Sequence, residues 1–146
     1  DVYKRQIYMM EEINEEECKI LKKLTNNYKT QIVVQEFLPD IYDGDFRVLI
    51  IHGEPYKKTL ARIPQEGSFK GNLAAGGKGE VRDISDVQMR IGSVVGKYLM
   101  KKDINFAGID IIGQKLTEIN ITSPTCAREI FEQSGMNPIE DYFKKL

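Results

Sequence analysis

Phe106-Ala107-Gly108-Ile109-Asp110-Ile111-Ile112, followed after a short turn by Leu116-Thr117-Glu118-Ile119-Asn120-Ile121-Thr122-Ser123-Pro124-Thr125, decides how this chain folds. The isoleucines mark two β-strands, where acids are depleted and costly to bury alone. Asp110, Glu118 and Asn120 therefore point to a cation that offsets the desolvation of three oxygen-bearing side chains. Any one acid on a strand is more often a solvated surface residue; as a set the three argue for a metal-bearing hairpin. Side chains alternate across a strand, so Glu118 and Asn120 share a face. A two-residue loop, Gly113-Gln114, pairs Ile112 with Lys115 and sets Asp110 opposite Thr117, on the wrong face. A three-residue loop, Gly113-Gln114-Lys115, pairs Ile112 with Leu116, so that Asp110 faces Glu118 and Gly108 faces Asn120. The three-residue loop is the register expected here, although Gly113 does not stand at the usual last position of such loops.

Carboxylate and amide oxygens suit a hard ion that shares its coordination with water and phosphate oxygens, so magnesium is expected and manganese is the alternative. The single histidine, His52, and two distant cysteines, Cys18 and Cys126, offer no zinc spacing. The chemistry suggested is that of a nucleoside triphosphate.

With 146 residues, 41% of them hydrophobic, the chain can form one ordinary globular unit. A formal net charge of −1 creates no whole-chain field for nucleic acid or an anionic membrane. No apolar run approaches the roughly 20 residues that cross a bilayer, and the first six residues lack the apolar centre of a signal peptide. A cytoplasmic protein with free thiols is expected, Cys126 being as consistent with a small buried residue as with a reactive one. The abrupt start, with no Met at position 1, suggests a fragment, and residues 1–6 are either native or extraneous.

The elements expected are mixed, α+β. Ile7–Met10 reads as an apolar strand, Glu11–Leu24 as an amphipathic helix with a solvated Glu15-Glu16-Glu17 run, and Gln31–Phe37 as a buried strand ended by Pro39. Phe46–Ile51 and Tyr56–Ile63 form strands joined through His52-Gly53-Glu54-Pro55, which puts His52 at a hairpin tip as a surface turn residue. Ser85-Asp86-Val87-Gln88 is a capping box that opens a long helix, with Val87, Ile91, Val94, Val95, Tyr98 and Leu99 as its apolar stripe. Short helices are expected over Cys126–Gln133 and Pro138–Lys145.

Between these elements, Gly67–Glu80 carries five glycines in the thirteen positions from Gly67 to Gly79, with Lys70 and Lys78. Such a loop is either a plain linker or a lid whose backbone amides and lysines close over phosphate or carboxylate oxygens. Arg62 at its root and Arg47 on the preceding strand add cations that either serve the same cleft or stand as solvated rungs.

Asp43-Gly44-Asp45 before an arginine-bearing strand, Ala61-Arg62-Ile63-Pro64, Gly71-Asn72-Leu73-Ala74-Ala75-Gly76-Gly77 and Thr117–Thr125 together resemble bacterial glutathione synthetase, an ATP-grasp ligase, from about Gln35 to Glu129. The resemblance implies the carboxy-terminal portion of an ATP-grasp fold, an antiparallel sheet with flanking helices, incomplete at its amino-terminal end. Residues 1–34 would be the remnant of a preceding subdomain, and 35–146 the carboxy-terminal subdomain with a lid at 67–80. It further implies ligation of γ-glutamylcysteine to glycine through an acyl phosphate, with release of ADP and phosphate. Asp110, Glu118 and Asn120 would hold the metal on ATP. Gln35, Glu36, Phe37 and Leu38 would line the adenine, and Asp45 would lie near the nucleotide. Arg47 and Arg62 would serve catalysis, Arg62, Lys70 and Lys78 the substrate, and Ser123, Pro124 and Thr125 the acceptor pocket. The partners implied are small molecules, without nucleic acid or membrane, in a homo-oligomeric intact enzyme. Lys70 and Lys78 stand where the family generally has arginine, which loses bidentate geometry. With the amino-terminal domain and its nucleotide-binding lysines missing, the chain alone is expected to be inactive. The alternatives are a ligase for another amino acid and a non-catalytic ATP-binding module.

Overall fold

The computed structural model describes residues 8–71 and 76–145. The chain divides into two compact units, 1–37 and 38–146. In the first, helix α1 (Glu15–Leu24) begins at Asn14, whose side chain accepts from the amides of Glu16 and Glu17, while the Glu17 carboxylate accepts from the Asn14 amide. This box starts the helix four residues later than the hydrophobic spacing predicts and gives Glu17 a task beyond solvation. Lys22 and Lys23 occupy the last turn, which suits the negative end of the helix dipole. Tyr8–Met10 and Gln31–Phe37 are not strands: both lack regular structure, and Val33 and Val34 are exposed. Ile7 lies outside the described residues. β-propensity reports fit to a neighbouring strand, and among the described residues no strand pairs with either segment.

The second unit is a five-stranded antiparallel sheet. After a 3-10 turn at Pro39–Asp43 come β1 (Asp45–Ile51), β2 (Glu54–Ile63), β3 (Lys78–Asp83), helix α2 (Asp86–Met100), β4 (Phe106–Ile112), β5 (Lys115–Asn120), α3 (Ala127–Ser134) and α4 (Pro138–Phe143). The strand order is β3-β2-β1-β4-β5. β3 corrects the expected extent of the Gly-rich loop, because Lys78, Gly79 and Glu80 are ladder residues paired with Ile63, Arg62 and Ala61. Asn72–Ala75 of that loop lie outside the described residues.

His52 and Gly53 form the β1–β2 turn with φ of 48° and 81°, a backbone that matches the twist of a tight hairpin. His52 is more than a surface residue. Its ring stacks on Tyr142 with centroids 4.8 Å apart, and its Nε2 lies 3.0 Å from the Tyr142 carbonyl oxygen. Tyr56 donates to Asp141 at 2.9 Å, so three contacts fasten α4 to this hairpin.

Each sheet face buries its own apolar cluster. Val48, Ile50, Ala107, Ile109 and Ile111 pack against Val95 and Leu99 of α2. On the other face Leu49, Ile51, Tyr56 and Leu60 pack against Cys126 and Ile130. The Ser85–Gln88 capping box forms as predicted, but the stripe of α2 differs: Gln88, Gly92, Val95, Gly96 and Leu99 are buried, whereas Val94 and Tyr98 are exposed. The two glycines set this rotation. A Cβ on Gly96 would collide with the Gly53 carbonyl oxygen, and one on Gly92 would come within 2.7 Å of the Pro55 ring. Absent side chains let the helix lie directly on the β1–β2 hairpin. The exposed edge of β3 is covered by Gln133, which accepts from the Val81 amide at 2.9 Å and donates to the Gly79 carbonyl at 3.2 Å, as a neighbouring strand would.

Gly96→Ala is expected to destabilise this unit by about 1–3 kcal/mol, because the obstruction is rigid backbone. Val94→Ser should stay within about 0.5 kcal/mol of wild type. Urea unfolding of the two variants checks the contrast.

Candidate functional site

Strand alternation and register place the polar residues in two rows on the α3 side of the sheet. One row runs Glu118, Asp110, Arg47, Leu60 across β5, β4, β1 and β2; the next runs Ile112, Asp45, Arg62, Gly79 across β4, β1, β2 and β3. Asn120 stands beside Glu118 on the same face, opposite Gly108. Leu49, Ile51 and Leu60 fill the remainder of this face, so apolar packing holds the strands while its other half carries charge.

The register that unites Asp110 with Glu118 is reached by a route other than the one expected. The loop is the two-residue Gly113-Gln114, with Ile112 paired to Lys115 and Ile111 to Leu116. A β-bulge at Thr117 then inserts one extra residue, restoring Asp110 opposite Glu118. The Thr117 hydroxyl donates to the Asp110 carbonyl oxygen at 3.1 Å. Gly113 takes φ of 56°, and any Cβ there would collide with the Asp40 carboxylate.

At the centre, Arg47 grips Asp110 with two bonds, Nε to Oδ1 at 2.5 Å and Nη2 to Oδ2 at 2.8 Å. Arg62 Nη2 bridges Asp110 Oδ2 at 2.9 Å and Asp45 Oδ2 at 2.6 Å. Arg47, Arg62 and Asp110 are 4%, 5% and 2% exposed, so these three are closed off from water, while the Asp45 side chain at the end of the network keeps 20% of its exposure. With its amide oriented to satisfy both neighbours, Asn120 donates to Glu118 Oε1 at 3.0 Å and accepts from Arg47 Nη2 at 3.2 Å. Arg47 also points Nη1 at the Thr125 hydroxyl, 3.5 Å away.

Burial raises the proton affinity of Asp110, but hydrogen bonds from Arg47 and the charges of Arg62 and Arg47 outweigh it and hold the carboxyl below its ordinary value. Burial also acts on Asp45, and there it wins, assisted by the nearby Asp110 charge and against Arg62. Asp45 Oδ1 is correspondingly a buried acceptor without a hydrogen-bond donor. Burial pushes the Cys126 thiol upward, which suits a packed side chain rather than a nucleophile.

The donor set fits a hard divalent ion. Asp110 offers four lone-pair sites, of which Arg47 and Arg62 use three. Glu118 is exposed beside it, and Asn120 supplies an amide. Among the described residues no three His, Cys, Asp or Glu side chains cluster as a metal site, and Asn120 is the further oxygen-bearing side chain on the face of Asp110 and Glu118.

Of the other expected site residues, Ser123, Pro124 and Thr125 lie by Arg47. Pro124 packs against Gly108, where an added Cβ would sit 2.9 Å from both Pro124 Cβ and Arg47 Cδ. Ser123 adopts φ of 49°, and with Thr125 it lies on the turn beside Arg47. Lys70 is half-buried, its amide donating to the Ser68 hydroxyl at 3.1 Å. Lys78, the rung next to Gly79, leaves β3 on the face opposite Arg62. Gln35, Glu36 and Phe37 belong to the first unit, without regular structure, and Leu38 opens the second. Thr117 and Gly108 are the residues that sequence reasoning passed over. A glycine inside a strand signals close approach of another group, which could have drawn notice to Gly108.

The family described as prokaryotic glutathione synthetase, ATP-grasp domain, matches residues 4–135. The five-stranded sheet, α2 and α3 thus fall within an ATP-grasp domain. The chain belongs to the prokaryotic glutathione synthetase family. It is 51% identical to the glutathione synthetase of Vibrio parahaemolyticus over 111 residues, which is 76% of this chain and 35% of that protein. It is 51% identical to that of Pseudomonas syringae pv. tomato over 118 residues, 81% of this chain and 37% of the relative. The chain therefore spans about a third of the length of the curated relatives it matches. A structure of the ATP-grasp ligase PsnB complexed with precursor peptide PsnA2 and AMPPNP superposes with a TM-score of 0.49 at 18% identity, covering 76% of this chain and 34% of that one.

Asp110→Asn is expected to cost about 3–5 kcal/mol, since it strands two buried guanidinium groups. A depressed folded pKa stabilises above the unfolded value, about 3.9 for aspartate, and that contribution is lost as pH falls through the folded value. Asp45, pushed upward, acts in the opposite sense above that pH. The gap between wild type and Asp110→Asn should therefore be wide at neutral pH and shrink below about pH 4, as unfolding by denaturant at several pH values would measure.

Proposed function

We propose that this chain is the metal-binding and acyl-binding portion of an ATP-dependent ligase that joins γ-glutamylcysteine to glycine. The observation that carries the proposal is the meeting of Asp110, Glu118 and Asn120 with two buried arginines on one sheet face, in a chain that matches the family over 4–135. Glu118, Asn120 and Asp110 hold magnesium, or manganese, which when bound neutralises charge on the nucleotide phosphates. Arg47 and Arg62, held by Asp110 and Asp45, present N–H groups to anionic oxygens of the dipeptide carboxylate and its phosphorylated form. Because they are already oriented and screened from water, little reorganisation accompanies charge transfer. Thr125, next to Arg47, borders the acceptor pocket with Ser123 and Pro124. Lys70 contributes a cation from the Gly-rich segment.

The proposed partners are ATP, γ-glutamylcysteine and glycine, and the proposed setting is the cytoplasm. Among the described residues no helix is long and apolar enough to cross a membrane. Catalysis is by positioning and charge neutralisation, which accords with a buried, protonated Cys126 and with a His52 committed to packing on Tyr142.

In the full-length protein that carries this chain, Glu118→Gln is expected to lower metal-dependent ADP release by at least about a hundredfold, the upper end of losses at a metal's supporting partners. ADP release from ATP with γ-glutamylcysteine and glycine measures it; near-normal turnover would refute the assignment. Preference for glutamate over glycine as acceptor would instead indicate a ligase for another amino acid, and no turnover in the wild type a non-catalytic ATP-binding module.

A further inference from the structure

We infer that Thr117 is a positioning residue for the divalent cation, acting through the bulge it forms rather than as a ligand; the inference rests on the metal role proposed for Asp110, Glu118 and Asn120. From Gly113-Gln114 onward, an unbroken ladder would count Lys115 against Ile112, Leu116 against Ile111 and Thr117 against Asp110. That count would put a hydroxyl opposite Asp110 and turn Glu118 and Asn120 to the α2 side, among Ile109 and Ile111. The observed pairing departs at one place, between Ile111 and Asp110, where Leu116 and Glu118 take successive partners and Thr117 takes none. Thr117 is thus the extra residue on which the common face of the three donors depends.

Its side chain fits the task. The hydroxyl donates to the main-chain oxygen of Asp110 at 3.1 Å, tying the bulged residue to the rung whose carboxylate is gripped by Arg47 and Arg62. A bulge can relax by slipping one residue along the ladder, and β5 has little apolar burial to oppose this, since all but its last residue are exposed. On the partner strand Asp110 cannot follow such a slip, because its two arginines fix it. The hydrogen bond therefore resists the motion that would separate Glu118 from Asp110. Threonine also suits the extended backbone on either side of the bulge.

The test uses Mn²⁺ as the probe, in the full-length protein with a non-hydrolysable ATP analogue present, with free Mn²⁺ followed by electron paramagnetic resonance. Thr117→Val keeps the branched shape and removes the donor; it is expected to weaken Mn²⁺ binding by about tenfold, in the range seen when supporting partners of metal ligands are changed. Thr117→Ser, which retains the hydroxyl, should restore most of the affinity, and both variants should melt within a few degrees of wild type. Wild-type affinity in Thr117→Val, alongside lost binding in Glu118→Gln, would overturn the inference and leave the metal site standing. Undiminished binding in Glu118→Gln would overturn the metal site and the inference together. A loss of Mn²⁺ affinity in Thr117→Val matched by a large drop in melting temperature and not reversed by serine would show a merely structural residue, and so would also overturn it.

Discussion

Asp110 lies between two guanidinium groups, and the polar half of the sheet depends on that contact. Isolated, any of these charges would be costly at such depth; linked as Arg47, Asp110, Arg62 and Asp45, they nearly cancel. The link exists because β1 lies between β4 and β2, so that Arg47 meets Asp110 on one side and Asp45 meets Arg62 on the other. Neither hairpin alone contains it. The buried network also leaves Arg47 and Arg62 with fixed directions, and fixed donors in a dry site are what stabilise developing charge most effectively.

Around that network the fold supplies close approach rather than additional charge. Gly108 lets Arg47 and Pro124 converge, and a Cβ on Gly71 would sit 2.6 Å from the Arg62 carbonyl oxygen. On the reverse face Gly92 and Gly96 bring α2 onto the β1–β2 hairpin. Interior glycines in strands and helices ordinarily cost stability. Here each stands where a side chain would have pushed two elements apart.

Local interactions were legible where they are complete within a few residues. The Ser85–Gln88 box, the His52-Gly53 turn and the strands flanking it follow from neighbours in sequence, and Asp110, Glu118 and Asn120 do share a face. Errors arose where the partner is distant. Gln31–Phe37 has strand composition but no strand beside it, and Lys78–Glu80 has loop composition but β2 beside it. Val94 and Tyr98 belong to the apolar count of α2, yet the rotation that exposes them is set by contacts with Gly53 and Pro55.

The amino-acid sequence by itself determined which side chains are available: the oxygens of Asp110, Glu118 and Asn120, the guanidinium groups of Arg47 and Arg62, no zinc-ligand spacing, and a family resemblance carried by contiguous motifs. Those properties belong to side-chain composition and local spacing, which need no long-range contact. Only the tertiary structure decided which oxygens the arginines hold, how Thr117 corrects the count between Asp110 and Glu118, and why Lys78 points away from Arg62. Strand pairing joins residues tens of positions apart, and one bulged residue inverts the facing of all that follow it, so these outcomes lie in the register of the assembled sheet.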